Sequence, residues 1–222
     1  MKNAIFAVVI LTSAALAQSP LELAASIGQS IKNNAANLQR YTYKRSTEIA
    51  VHGEVKSTRV DLVRFVGPEM ETIPLSQSPQ QPEPGGIRGR IIEKKKEEIR
   101  EYVDRLVSLS RRYLTPGGGD ISDLLQKASF SLLGQPPAQV RMTIAGYVKP
   151  SDSFTMTIDV ATRNPVQTLV RTDLDGDPVD ITVDYSRLPD GTPYPSQARI
   201  SSPRRDIRVS IDSFDYELVG VP

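Results

Sequence analysis

The side chains in this 222-residue sequence that could carry chemistry are few and scattered. His52, the single histidine, stands beside Gly53 and Glu54 and is of the type that serves as a general base. No G-x-S-x-G nucleophile elbow occurs in the chain to give it a serine to activate. His52-Gly53 falls where a hairpin must reverse, so His52 reads as an exposed turn residue. Asp173, Asp175 and Asp177 alternate, and Asp184 lies 11 residues after the first, which has the outline of a calcium loop. Pro178 occupies the place where such a loop needs glycine, Asp184 replaces its bidentate glutamate, and no helices flank it. The segment reads instead as a hairpin turning at Asp175-Gly176. Gly117 to Gly119 precede a helix start, but no Gly-Lys-Ser/Thr follows and Asp120 would repel a phosphate. With no cysteine and one histidine, thiolate chemistry, Fe–S clusters and multi-imidazole metal centres are excluded within one chain. The reading is therefore of a protein that is not an enzyme, with no catalytic residue, no metal site and no cofactor.

Charge and apolar pattern give the remaining candidates. Glu93 to Glu101 mix with lysines at three- and four-residue steps, the pattern of a solvated helix face. Arg88, Arg90, Lys94 and Lys95, with Lys96, form a basic patch suited to lipid headgroups, or simply to solubility. Leu106, Leu109, Tyr113, Leu124 and Leu125 are candidates to line a ligand cavity, with ordinary core as the alternative. A formal net charge of +1, from 27 basic and 26 acidic residues, offers no field for nucleic acid.

These residues must be positioned by three zones behind a leader. Lys2, the apolar run Ala4 to Leu16 and Ala15-Leu16-Ala17 form a secretory signal peptide over residues 1–17, too short in its apolar run to be a membrane span. The mature chain, 18–222, is expected to be one soluble, exported domain held by its core alone. In zone one, Pro20 opens an amphipathic helix with Ile27, Ile31, Ala35 and Leu38 at helical spacing. Tyr41 to Ile49 and Val55 to Val66 follow as antiparallel strands. Arg45, Arg59 and Asp61 are among the charges expected on their water face, with Tyr43 and Val60, Leu62 or Phe65 on the other. Zone two, about 67–137, is an insertion: a Pro-rich loop from Gly67 to Gly89, an amphipathic helix from Ile91 to Leu114 and a short helix capped by Asp120. On the long helix, Glu101 and Arg105 form an i,i+4 pair. Zone three is a meander of six strands, starting at Val140, Phe154, Val166, Val179, Tyr194 and Ile207 and divided by turn residues.

The C-terminal turn pattern carries a family resemblance. Thr157-Ile158-Asp159 with Asn164-Pro165, then Asp175-Gly176, Asp184-Tyr185-Ser186, Pro189-Asp190-Gly191, Tyr194-Pro195 and Ser210 to Glu217 follow in an order that resembles the LolA-like outer-membrane lipoprotein-sorting family. The resemblance covers about residues 140–218 and the first helix. It implies an α+β fold: a curved antiparallel sheet, or half-barrel, with helices over its concave face. It also implies a periplasmic carrier of a hydrophobic ligand such as a lipid or lipidated protein, with the zone two helices as its lid. The competing expectation is a protein-interaction module that holds an envelope partner on the same fold without lipid.

Overall fold

A computed structural model describes residues 20–67, 69–77, 87–114, 127–134 and 138–219. The leader and the short helix expected after Asp120 lie outside these residues. The helix α1 spans Pro20–Leu38, and the strands β1 (Tyr41–Val51), β2 (Glu54–Val66) and β3 (Glu69–Gln77) follow. A long helix, α2 (Ile87–Leu114), leads to β4 (Ser129–Leu133) and β5 (Gln139–Ala145). The chain closes with β6 (Ser153–Asp159), β7 (Pro165–Leu174), β8 (Asp177–Arg187), β9 (Pro193–Ser202) and β10 (Ile207–Leu218).

The strands form one ten-stranded sheet in the order β3-β2-β1-β10-β9-β8-β7-β6-β5-β4, with antiparallel pairing throughout. All connections are between neighbours except one. The chain leaves the sheet at β3, crosses through α2 to the opposite edge at β4, and meanders back until β10 pairs with β1. This is the α+β half-barrel expected, an open curved sheet covered by helices. All six meander strands expected from the sequence are present. Tight turns follow their chemistry: His52 and Gly53 (φ 52° and 75°) and Asp175 and Gly176 (φ 54° and 83°) are consecutive left-handed pairs, as two-residue hairpins require.

Alternation places the core. Phe154, Met156 and Ile158 on β6, Val179, Ile181 and Val183 on β8, and Ile207 and Val209 on β10 are buried, while the residues between them are exposed or half-exposed. On the β1–β2 side the register corrects the expected faces. Tyr43 pairs with Val63, so Val63, fully buried, is the inward residue, and Val60 and Leu62 belong to the other face.

The expected loop from Gly67 to Gly89 is also corrected, because β3 runs through it. Pro74 is tolerated there because β3 is an edge strand and its ladder with β2 shifts register between Val60 and Asp61. The long helix starts at Ile87, four residues before the expected Ile91. The edge strand β4, five residues long, was not expected.

The turn ends are tied by carboxylates. Asp159 Oδ1 accepts from Thr162 N (2.8 Å) and Thr162 Oγ1 (2.9 Å), closing the β6–β7 turn. The Thr162 amide bond is the main cause that holds the Asp159 carboxyl below its ordinary pKa, and Arg187 adds to it. A depressed carboxyl stabilises the fold above the unfolded value, ~3.9, and that contribution is lost as pH falls through the folded one. Acid titration of stability followed by circular dichroism should therefore show a shallower loss below about pH 4 for Asp159→Asn than for the wild type.

Candidate ligand cavity between the sheet and the helices

The stripe Tyr102, Val103, Leu106, Leu109, Ser110 and Tyr113 is the buried face of α2. Three polar contacts fix this face to successive hairpin turns at one end of the half-barrel. At the β9–β10 turn the Tyr102 hydroxyl shares a hydrogen bond with Ser202 Oγ (2.8 Å), and the Arg205 guanidinium lies 4.5 Å from the Tyr102 ring centroid. At the β7–β8 turn Arg105 pairs with Asp175 (2.5 Å), which replaces the expected bond to Glu101. At the β5–β6 turn Tyr113 Oη and Thr172 Oγ1 donate to the two oxygens of Asp152, whose Oδ2 also accepts from Lys149 N (2.6 Å). Burial, and then the Asp152 carboxylate, push the Tyr113 phenol well above its ordinary pKa, so it stays a neutral donor. At the opposite end α1 docks through Asn34, whose Nδ2 donates to Asn164 Oδ1 (3.3 Å).

With both helices tied at the ends, a cavity of about 1550 Å³ is left against the concave face. It exceeds the ~300–1,000 Å³ typical of small-molecule pockets. Val103 and Val107 of α2 form one wall, and Ile31 and Leu38 of α1 close an end. The sheet wall changes character along its ladder. Met142, Met156, Val183, Ala198 and Ile211 lie side by side from β5 to β10, interrupted by Thr168 on β7, and all six line the cavity. The same row then continues through Thr47 to Arg59 and Gln77, on β1, β2 and β3. Along this row the wall is thus mainly apolar over the meander and polar over the first three strands.

The polar wall holds a charge cluster. Asp61 is fully buried, and its Oδ2 takes Arg59 Nε at 3.0 Å with Arg45 Nη2 at 3.8 Å. This corrects the expectation of a water face for Arg45 and Asp61, while Arg59 is exposed as expected. Their signal was present in the alternation Arg59, Asp61, Val63, Phe65, which puts the charges on the same face as the apolar residues.

The expected site residues are placed as follows. Tyr113 lies on the cavity wall, and Leu106 and Leu109 are buried in the core cluster. Leu124 and Leu125 lie outside the described residues. Arg88 and Arg90 are in the first turn of α2, where only the backbone is described, and Lys94 and Lys95 are exposed further along it. His52 is exposed at its hairpin tip, 3.5 Å from Asp206. Asp173, Asp175 and Asp177 are each engaged by cations, Lys149, Arg105 and Arg205 respectively. No group of three potential metal-ligating side chains, and no helix long and apolar enough to cross a membrane, occurs among the described residues.

No protein-family model and no curated protein matches this sequence. Among solved structures, the chain is similar to a DUF1329 family protein from Desulfovibrio piger, at 11% identity and a TM-score of 0.42, over 91% of this chain and 93% of that one. It is also similar to a LolA superfamily protein from Nitrosomonas europaea, at 10% identity and 0.37, covering 90% and 94%. An outer membrane lipoprotein-sorting protein domain from Vibrio parahaemolyticus gives 10% and 0.39, covering 90% and 95%.

The anchoring of α2 is testable. Tyr113→Phe removes one donor to Asp152 and should cost about 1–3 kcal/mol in denaturant unfolding. Amide exchange should quicken from Val107 to Tyr113. Asp152→Ala, which strands Tyr113, Thr172 and the Lys149 amide together, should cost more.

Proposed function

We propose that the chain is an exported, non-enzymatic carrier or binding protein that holds a hydrophobic ligand, a lipid or a lipidated protein, between the half-barrel sheet and its helices. The observation that carries this reading is the cavity itself. Apolar side chains of five meander strands and of α2 belong to one core cluster, and part of that cluster also borders about 1550 Å³ of open volume. Apolar walls facing open volume are stabilised when an apolar ligand fills them. Export through a leader over residues 1–17 would place the protein in the periplasm. Its α2 is then the cover that must open for uptake. The basic patch of Arg88, Arg90, Lys94 and Lys95, on the same helix, would meet anionic headgroups at a membrane surface.

A second reading, an envelope interaction module, is favoured by β3. Every residue of this edge strand is exposed, Met70, Ile73 and Leu75 included, and its outer backbone groups are open to another strand.

Native mass spectrometry of mature protein purified without detergent distinguishes the two readings. The carrier reading predicts a stoichiometric adduct that extracts into solvent as lipid. An apo mass unchanged by incubation with phospholipid vesicles would overturn it in favour of the interaction module, whose pull-down of a partner should fail when β3 carries Ile73→Lys.

A further inference from the structure

Resting on the carrier reading, we infer that the ligand is an anionic amphiphile: its oxyanion head binds Arg45 and Arg59 on the first two strands, and its apolar chain lies along the meander wall. Elsewhere on the cavity wall Lys56 pairs with Glu54 and Arg100 with Glu97. Lys96, Asp104 and Arg111 line it from α2. Arg45 and Arg59 differ because they share a single carboxylate, and even a single oxygen of it, Asp61 Oδ2.

Arg45 is the more telling of the two. Its side chain is only 17% exposed, yet among the described residues its five N–H donors meet nothing closer than Thr72 Oγ1 at 3.4 Å and the Asp61 oxygen at 3.8 Å. On the cavity wall those donors are available to an oxyanion in place of water. Asp61 Oδ1 is buried without a hydrogen-bond partner among the described residues, an acceptor that a hydroxyl of the ligand, not its oxyanion, would meet. Asp61 acts as a positioning residue that holds the two cations against the cavity. A phosphate or carboxylate supplies the in-plane, two-oxygen acceptor that a guanidinium fork fits.

Continuity with the apolar wall makes the ligand an amphiphile rather than a free anion. Arg59 is followed across the ladder by Thr47 and then Ile211. Two strand spacings, about 10 Å, therefore separate the head site from the apolar row, within one cavity. A chain whose head sits on Arg59 can extend under Val103 and Val107 without leaving the site.

Isothermal titration calorimetry with decyl phosphate, decanoate, decanol and inorganic phosphate tests this on the wild-type chain. Both anionic amphiphiles should bind at least about tenfold more tightly than decanol, and inorganic phosphate more weakly than either. The triple variant Arg45→Gln, Arg59→Gln, Asp61→Asn removes the cluster without stranding a buried charge. Once circular dichroism shows it folded, it should bind decanol as the wild type does and prefer the anions by less than about twofold. Equal wild-type affinity for decanol and the anions overturns the head site while leaving the carrier reading intact. Inorganic phosphate binding as tightly as decyl phosphate overturns the amphiphile in favour of a free-anion site. If none of the three decyl compounds binds, the carrier reading falls and this inference with it.

Discussion

A concave sheet cannot bury its own inner face. The ten strands curve so that apolar side chains from β5 to β10 point into one space, and two helices are the only described elements available to cover it. The position of α2 decides how much of that face is sealed. Tyr102, Arg105 and Tyr113 tie the helix to three hairpin turns along one end of the half-barrel. Burial of Tyr102 and Leu106 offsets the cost of ordering the helix, and the unfilled volume beside it is the site.

The chain's single long crossover makes this possible. Because β10 returns to pair with β1, two stretches of different character share one ladder. The meander strands were legible in the sequence because each alternates cleanly between Val, Ile, Phe or Met and polar residues, and because Asn-Pro and Asp-Gly turns divide them. The β1–β3 region was less legible. Charged residues on a strand ordinarily face water, and here Arg45 and Arg59 line the cavity with Asp61 buried beside them. The alternation Arg59, Asp61, Val63, Phe65 groups these charges with apolar residues, and the register with β1 shows that this face is the inner one. β3 was hidden by Pro74 and its flanking prolines, whose disfavour for strands holds in a sheet interior and relaxes at an edge. β4, short and bordering Gly134, has too few residues for its alternation to stand out.

The candidate site was legible to a lesser degree than the fold. Helical periodicity identified the inward face of α2, including Tyr113, but periodicity cannot tell a residue that faces open volume from one that packs against the sheet. Leu106 and Val103 illustrate the difference. Both are buried in the core cluster, yet Val103 also borders the cavity and Leu106 does not. The distinction depends on where the hairpin turns hold the helix, which follows from tertiary contacts 39 to 100 residues apart in sequence.

The central claim is that a hydrophobic ligand sits between the sheet and α2, and photo-cross-linking tests it most directly. A fatty acid carrying a diazirine near its terminal carbon would be irradiated with the purified protein and the adducts mapped by peptide mass spectrometry. Labelling should fall on both walls, at Val103 or Val107 of α2 and at Met156, Val183 or Ala198 of the sheet. Labelling confined to the exposed β3 edge, or absent altogether, would contradict the account.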